Sequence, residues 1–88
     1  VDIIHNNISK EVVFNSSNQW AYTSWDVHRN ALPVEVTNAI ASSPQYAGYH
    51  VDEADFFETP TGEYYLVELE KGELEVKVKI TAKGEFIP

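Results

Sequence analysis

The 88-residue chain contains no cysteine and no methionine, and only six of its residues are lysine or arginine. Without cysteine it can form neither disulfide bonds nor thiolate metal sites. No apolar run approaches the roughly 18–20 residues that a membrane-spanning helix needs, so we expect no membrane insertion. No signal-peptide pattern opens the sequence either, and Val1 falls within a predicted strand.

Negative charge is concentrated in the second half of the chain. The formal net charge is −8, and nine of the fourteen acidic residues lie between Asp52 and Glu75, where only Lys71 offsets them. Such a stretch repels a phosphate backbone, so we do not expect nucleic acid as a partner. The 43% apolar content is too high for a disordered chain and indicates one small domain with an apolar core.

Period-two alternation predicts a β-hairpin over residues 63–80. In its second strand, apolar residues alternate with glutamate and lysine, which gives one apolar and one polar face. A two-residue turn at Lys71-Gly72 would place Tyr65, Val67 and Leu69 opposite Val78, Val76 and Leu74, all facing inward. The polar face would pair Tyr64 with Lys79, Leu66 with Lys77, and Glu68 with Glu75.

A helix is predicted over residues 33–43, between Pro33 and Pro44. Leu32, Val36, Ala39 and Ile40 form one apolar stripe at helical spacing. A helix this short is marginal alone, so the stripe should dock on the apolar face of the sheet.

Two further strands flank the predicted helix, in addition to the two strands with which the chain begins. Residues 19–27 should place Trp20 and Tyr22 on one face, and residues 49–58 lack clean alternation, which indicates a bulge. The predicted order is β-β-β-α-β-β-β, an α+β fold whose antiparallel sheet has one helix packed across one face.

The two ends of the chain repeat each other at a spacing of 66 residues. Val12 aligns with Val78, Phe14 with Ile80, and Trp20 with Phe86, and turn residues align with turn residues. We therefore interpret residues 1–22 as the closing strands of an earlier repeat and residues 23–88 as one complete unit, together forming one compact domain.

Several segments of residues 23–88 resemble the PepSY-like domains of exported bacterial proteins, which are similar to β-lactamase-inhibitor protein (BLIP). The shared frame is Trp25-Asp26-Val27, a helix opened by Leu32-Pro33 with Ala39-Ile40, the strand from Tyr64-Tyr65 to Gly72, and the closing segment 76–87. The resemblance implies a periplasmic or secreted location and a non-catalytic module that binds or inhibits another protein through its open sheet face.

The leading hypothesis is therefore a protein-binding surface on the helix-free face. Aromatic side chains flanked by charges are typical of such surfaces, and the candidate residues are Trp20, Tyr22, Tyr64, Leu66, Lys77 and Lys79. The alternatives are that a second repeat or another chain covers this face, or that two copies form a homodimer through exposed strand edges.

The acidic segment 52–58 supports an alternative function. Asp52, Glu53, Asp55 and Glu58 offer the oxygen ligands that Ca²⁺ prefers, so the alternative is a small-ligand or Ca²⁺-binding periplasmic domain. The spacing does not match an EF-hand, however, and strand geometry sends Asp52 and Glu53 to opposite faces. At most weak Ca²⁺ binding is expected, and no cofactor. No nucleophile motif is present, and the three histidines are scattered, so we expect neither an enzyme nor a zinc site.

Overall fold

The structure, a computed structural model, describes residues 2–5 and 8–88. Within these ranges one antiparallel sheet contains seven strands in chain order. They are β1 (Asp2–His5), β2 (Ile8–Phe14), β3 (Trp20–Asp26), β4 (His50–Thr59), β5 (Gly62–Lys71), β6 (Leu74–Ile80) and β7 (Phe86–Ile87), with helix α1 (Val34–Ser42) between β3 and β4. The predicted α+β fold with one helix across the sheet is confirmed, and β7 adds a short strand to the expected order.

Helix α1 lies across β4, β5 and β6. It begins after Pro33, and its backbone departs from helical geometry at Ser43, just before Pro44, as the two prolines predict. The predicted stripe is buried, with Leu32, Val36 and Ile40 packed against a cluster on the sheet that comprises Ala54, Val67, Leu69, Val78 and Ile80. Burying three side chains of this size contributes roughly 5–9 kcal/mol before conformational entropy is subtracted. No helix of the described residues is long and apolar enough to cross a membrane.

The β5–β6 hairpin differs from its prediction by two residues in register. Lys71 pairs with Leu74, so the turn consists of Gly72 and Glu73 instead of Lys71 and Gly72. Gly72 has a φ of 61° and Glu73 does not have a positive φ. Glycine at the first central position is the arrangement of a type II′ turn, whereas the predicted register would require a positive φ at Lys71 as well.

This two-residue difference keeps each side chain on its predicted face but changes its partner. Glu68 pairs with Lys77, which is a favourable opposite-charge pair, and Glu75 opposes Glu70 instead of Glu68. Leu74 lies at the hairpin tip, outside the buried cluster, and is 60% exposed. The expectation that Leu74 joins the core is therefore wrong.

Two irregularities in the ladder decide which side chains share a face. In β4 the register shifts between Val51 and Glu53, so Asp52 is the extra residue, and the predicted bulge is confirmed. In the β2–β3 pair, Val13 opposes Tyr22 and Phe14 opposes Trp20. Ala21 is therefore an extra residue on β3, and it reverses the facing of Trp20 relative to the regular alternation.

The sheet is covered unevenly. Helix α1 covers one face of β4–β6, which we call the covered half. The same face of β1–β3 has no helix over it among the described residues, and we call it the bare half. The opposite side of the whole sheet, which we call the free face, has no helix over it within residues 2–5 and 8–88.

Candidate binding surface on the free face

A row of aromatic rings crosses the free face from β3 to β5. The centroids of Tyr22 and Phe57 are 5.4 Å apart, and those of Phe57 and Tyr64 are 5.2 Å apart with nearly parallel planes. The Lys79 ammonium lies 5.3 Å from the centroid of Tyr64, within the range of a cation–π contact. The row therefore offers a strip of half-buried aromatic side chains with a positive charge at one end.

Strand alternation builds this row and a second one behind it. Each of two neighbouring strands has a pair of consecutive aromatic residues, Phe56-Phe57 on β4 and Tyr64-Tyr65 on β5, and each pair places one ring on each face of the sheet. On the helix side, Phe56 lies between Trp25 and Tyr65, with centroid distances of 5.0 and 4.7 Å. The second row fixes the backbone of β3–β5, which holds the rings of the free face in place.

Next to the aromatic row, a second line of residues crosses the free face. Asp26 pairs with Asp55, Asp55 with Leu66, and Leu66 with Lys79. Two residues further along β5, on the same face, Glu68 lies between Glu53 and Lys77. The free face therefore has three adjacent zones. They are the aromatic row, the second line from Asp26 to Lys79, and a mixed-charge border of Glu53, Glu68 and Lys77.

Asp26 and Asp55 form a close carboxyl pair. Burial, a hydrogen bond with the Asp26 carboxyl, and the negative charges of Asp26 and Glu53 raise the pKa of Asp55 to about 6, against a smaller opposing effect of Lys77. When protonated, the Asp55 carboxyl can donate this hydrogen bond to Asp26. Above its pKa, two carboxylates repel each other, so a cation placed between them would be attracted.

Five of the six predicted binding residues lie together on this face. Tyr22 and Tyr64 belong to the aromatic row, Leu66 and Lys79 to the second line, and Lys77 to the border. Trp20 does not belong to it. The Ala21 bulge turns its ring to the helix side, where its Nε1–H donates a hydrogen bond of 2.9 Å to Thr23 Oγ1. The predicted grouping of Trp20 with Tyr22 is therefore wrong.

Sequence reasoning did not select Phe57, Asp26 or Asp55 for this surface. Phe57 is the centre of the aromatic row, but the bulge at Asp52 obscured the alternation that would have placed it. The Asp26–Asp55 pair depends on the register between β3 and β4, which the intervening helix hides from the sequence. Turn spacing fixes the register of a hairpin, but no such local signal exists for these two strands.

The four residues of the predicted cation site are not brought together. Glu53 and Asp55 lie on the free face, Glu58 pairs with Thr23 and lies on the helix side, and Asp52 is the bulge residue. Among the described residues, no three His, Asp or Glu side chains are grouped closely enough to hold a metal ion. Asp52 and Glu53 instead line an open depression beside His28 and Arg29. The prediction that this acidic segment forms one cation site is not supported by the geometry.

The fold is shared with proteins from Bacteroides species. A DUF2874 family protein from Bacteroides uniformis aligns with a TM-score of 0.82 and 26% identity over 99% of this chain and 65% of its own. A BLIP-like protein from Bacteroides fragilis aligns with a TM-score of 0.81 and 24% identity over 99% of this chain and 62% of its own. A Bacteroides eggerthii protein, provisionally described as periplasmic, aligns with a TM-score of 0.79 and 22% identity over 99% of this chain and 65% of its own.

These similarities show the fold, and this chain spans less than two thirds of the length of each of those proteins. None of the three is described as an enzyme. Neither a protein-family model nor a curated protein matches the chain.

Proposed function

We propose that the protein is a non-catalytic, periplasmic or secreted module that binds another protein through its free face. The observation that carries the proposal is the continuous Tyr22–Phe57–Tyr64 row beside charged side chains, on a face that no described helix covers. Rigid aromatic rings lose little conformational entropy on binding and supply much of the contact area in protein interfaces. The Bacteroides eggerthii and Bacteroides fragilis neighbours, described as periplasmic and BLIP-like, support the location and the binding role.

The charges of the free face define the chemistry of the partner. Asp26 and Asp55 would accept an arginine or lysine side chain, and the aromatic row would contact an aromatic or aliphatic side chain next to it. The net charge of −8 favours association with a basic protein surface. Inhibition of the bound protein is the effect to test for, as the resemblance to BLIP implies.

The test begins with capture from a periplasmic extract of the source organism on the immobilised protein. A protein identified in this way should be bound directly, as measured by calorimetry, and its affinity should fall at least tenfold for Tyr64→Ala and for Asp26→Lys, which places a positive charge where the cationic side chain of the partner would bind. Asp52→Lys makes the same charge change at the exposed bulge and should lower the affinity much less. Equal binding by the wild type and both free-face variants would contradict the proposal.

The pH dependence of that affinity provides a second check. The raised pKa of Asp55, about 6, means that this carboxyl is mostly protonated at pH 5 and mostly charged at pH 7.5. Binding of a cationic side chain should therefore strengthen as the pH rises from 5 to 7.5, and Asp55→Asn should remove most of this dependence. If the captured protein is an enzyme, its activity with one equivalent of this chain tests inhibition.

Pairing of two copies through strand edges stays a prediction. The sheet of the described residues ends at β1 on one side and at β7 on the other, and an unpaired edge can add a strand from another chain. The molar mass in solution, measured by light scattering over a concentration series, tests it.

A further inference from the structure

The β1–β2 hairpin repeats the β5–β6 hairpin residue by residue. At a spacing of 66 residues, β1 matches the last four residues of β5, and β2 matches β6 from its first residue to its last. The pairs also match: His5 with Ile8 corresponds to Lys71 with Leu74, and Phe14 with Trp20 corresponds to Ile80 with Phe86. The two hairpins therefore have the same register.

The turns that follow these hairpins have the same hydrogen bonds. Asn15 N–H donates to Gln19 O at 2.8 Å, and Thr81 N–H donates to Glu85 O at 2.9 Å. The side-chain oxygen of Asn15 accepts from Gln19 N–H at 3.1 Å, as Thr81 Oγ1 does from Glu85 N–H. Asn18 and Gly84 both have a positive φ, of 59° and 87°.

Burial is what distinguishes the two copies. Ile80 and Leu69 are 0% exposed beneath α1, whereas Phe14 and Ile3, at the matching positions of the bare half, are 50% and 42% exposed. Phe14 lies beside the partly exposed Trp20. The bare half therefore presents the apolar side chains of a helix-binding surface, in the arrangement that binds a helix elsewhere in the same sheet.

We propose that the bare half is covered by a second amphipathic helix of the same protein, which packs on β1 and β2 as α1 packs on β5 and β6. In the unit of residues 23–88, the last 22 residues correspond to residues 1–22, and the 44 residues before them contain α1. The aligned part of the Bacteroides uniformis structure is 65% of that chain, which leaves about 47 residues outside the alignment. That number is sufficient for a further segment equivalent to residues 23–66, which has 44 residues. The proposal concerns the helix side of the sheet and is independent of the function proposed for the free face.

The side chains of the bare half also predict how this helix differs from α1 in its position. A Cβ at Gly84 would lie 2.6 Å from the Glu35 carbonyl oxygen, so α1 contacts the turn through its backbone. Asn18 has a Cβ at the matching position, and Phe14 is larger than Ile80. The second helix must therefore lie farther from the sheet at this end than α1 does, with the rings of Phe14 and Trp20 filling the space.

The test is a longer chain in which a copy of residues 23–66 precedes residues 1–88. The tryptophan of the copy is replaced (Trp25→Phe), so that Trp20 and Trp25 of the original chain are the only tryptophans, and both report on the bare half. The control differs only in its added helix, which carries Val36→Asp and Ile40→Asp. Trp20 and Trp25 emission, amide hydrogen exchange of β1–β2, and the melting temperature are compared among the two long chains and the 88-residue chain.

The proposal predicts a shift of tryptophan emission to shorter wavelength, slower exchange in β1–β2, and a melting temperature higher by at least roughly 5 °C, all lost in the aspartate control. Asn18→Gly should increase the gain because it removes the Cβ, and Phe14→Asp should abolish it. A peptide of residues 29–46, which contains no tryptophan, should produce the same emission shift when added at millimolar concentration.

Three results would overturn the proposal. Identical emission and exchange in the apolar and aspartate versions, with no effect of the free peptide, would show that the bare half does not bind a helix. An emission shift of the 88-residue chain that follows its own dimerisation would assign this surface to a second copy. Capture of another protein that is lost with Phe14→Asp, without any effect of the added helix, would assign it to a separate partner.

Discussion

The β5–β6 hairpin of the covered half and the β1–β2 hairpin of the bare half have the same register, and the turns that follow them have the same hydrogen bonds, but their environments differ. Local sequence sets the hairpin geometry in both, because it depends on turn residues and alternation. Among the described residues, the cluster of buried apolar side chains lies beneath α1. The comparison separates two contributions that are difficult to separate in most small proteins: the geometry of a hairpin and the burial of its apolar face.

The largest expected difference between the halves is the effect of removing an apolar side chain. Ile80→Ala should lower the free energy of unfolding by about 2–5 kcal/mol, because a fully buried side chain leaves a cavity. Phe14→Ala, at the matching position of the bare half, should lower it by about 1 kcal/mol or less, since half of this ring is already exposed. Urea denaturation of both variants measures the difference.

Equal losses for Ile80→Ala and Phe14→Ala would contradict the comparison. Such a result would mean that Phe14 is buried in solution, by a second copy or by rearrangement of the sheet. Repeating the Phe14→Ala measurement at several protein concentrations would distinguish these two causes, since only association depends on concentration.

The two matching turns offer the next largest difference. Gly84→Ala should cost about 1–3 kcal/mol, because alanine disfavours a φ of 87° and its Cβ would collide with the Glu35 carbonyl oxygen. Asn18 tolerates the same conformation, and Asn18→Ala should cost about 1 kcal/mol from the backbone preference alone. Thermal and urea unfolding of the two alanine variants measure both values.

Asn18→Gly is the matched control for the turns. It keeps the positive φ accessible and should change stability by no more than a few tenths of a kcal/mol. A cost of Gly84→Ala no larger than that of Asn18→Ala would show that α1 moves away from the turn easily. Contact with the helix would then contribute little to the difference between the halves.

How much of this structure the sequence predicts depends on the range of each signal. Proline placement and the Leu32–Val36–Ile40 stripe predict α1 to within one residue, because both signals are local. The faces of β5 and β6 are also predictable from alternation. The register of that hairpin was missed by two residues because Gly72 can occupy either central turn position.

The site is less predictable than the fold, since it depends on contacts between distant segments. Tyr64 and Lys79 were selected correctly for the free face because they lie on one hairpin. Trp20 was assigned to the wrong face because nothing in the sequence marks Ala21 as a bulge. The Asp26–Asp55 pair was missed because 28 residues and a helix separate its members.

The smallest predicted effect concerns Asp55, which lies on the free face where β4 pairs with β3. Its pKa in the folded protein is about 6, above the usual 3.8, so between these pH values the folded state holds a proton that the unfolded chain releases. Stability should therefore decrease as the pH rises from about 4 to 6 and then become constant with respect to this group. Asp55→Asn should flatten this part of the curve and stabilise the protein at pH 7 by no more than about 1 kcal/mol, because solvent screens a partly exposed pair. Asp52→Asn removes the same charge at an exposed bulge, and thermal unfolding between pH 4 and 8 compares the two. If both variants changed the curve equally, the total negative charge of the chain would explain the pH dependence, and the carboxyl pair between β3 and β4 would not.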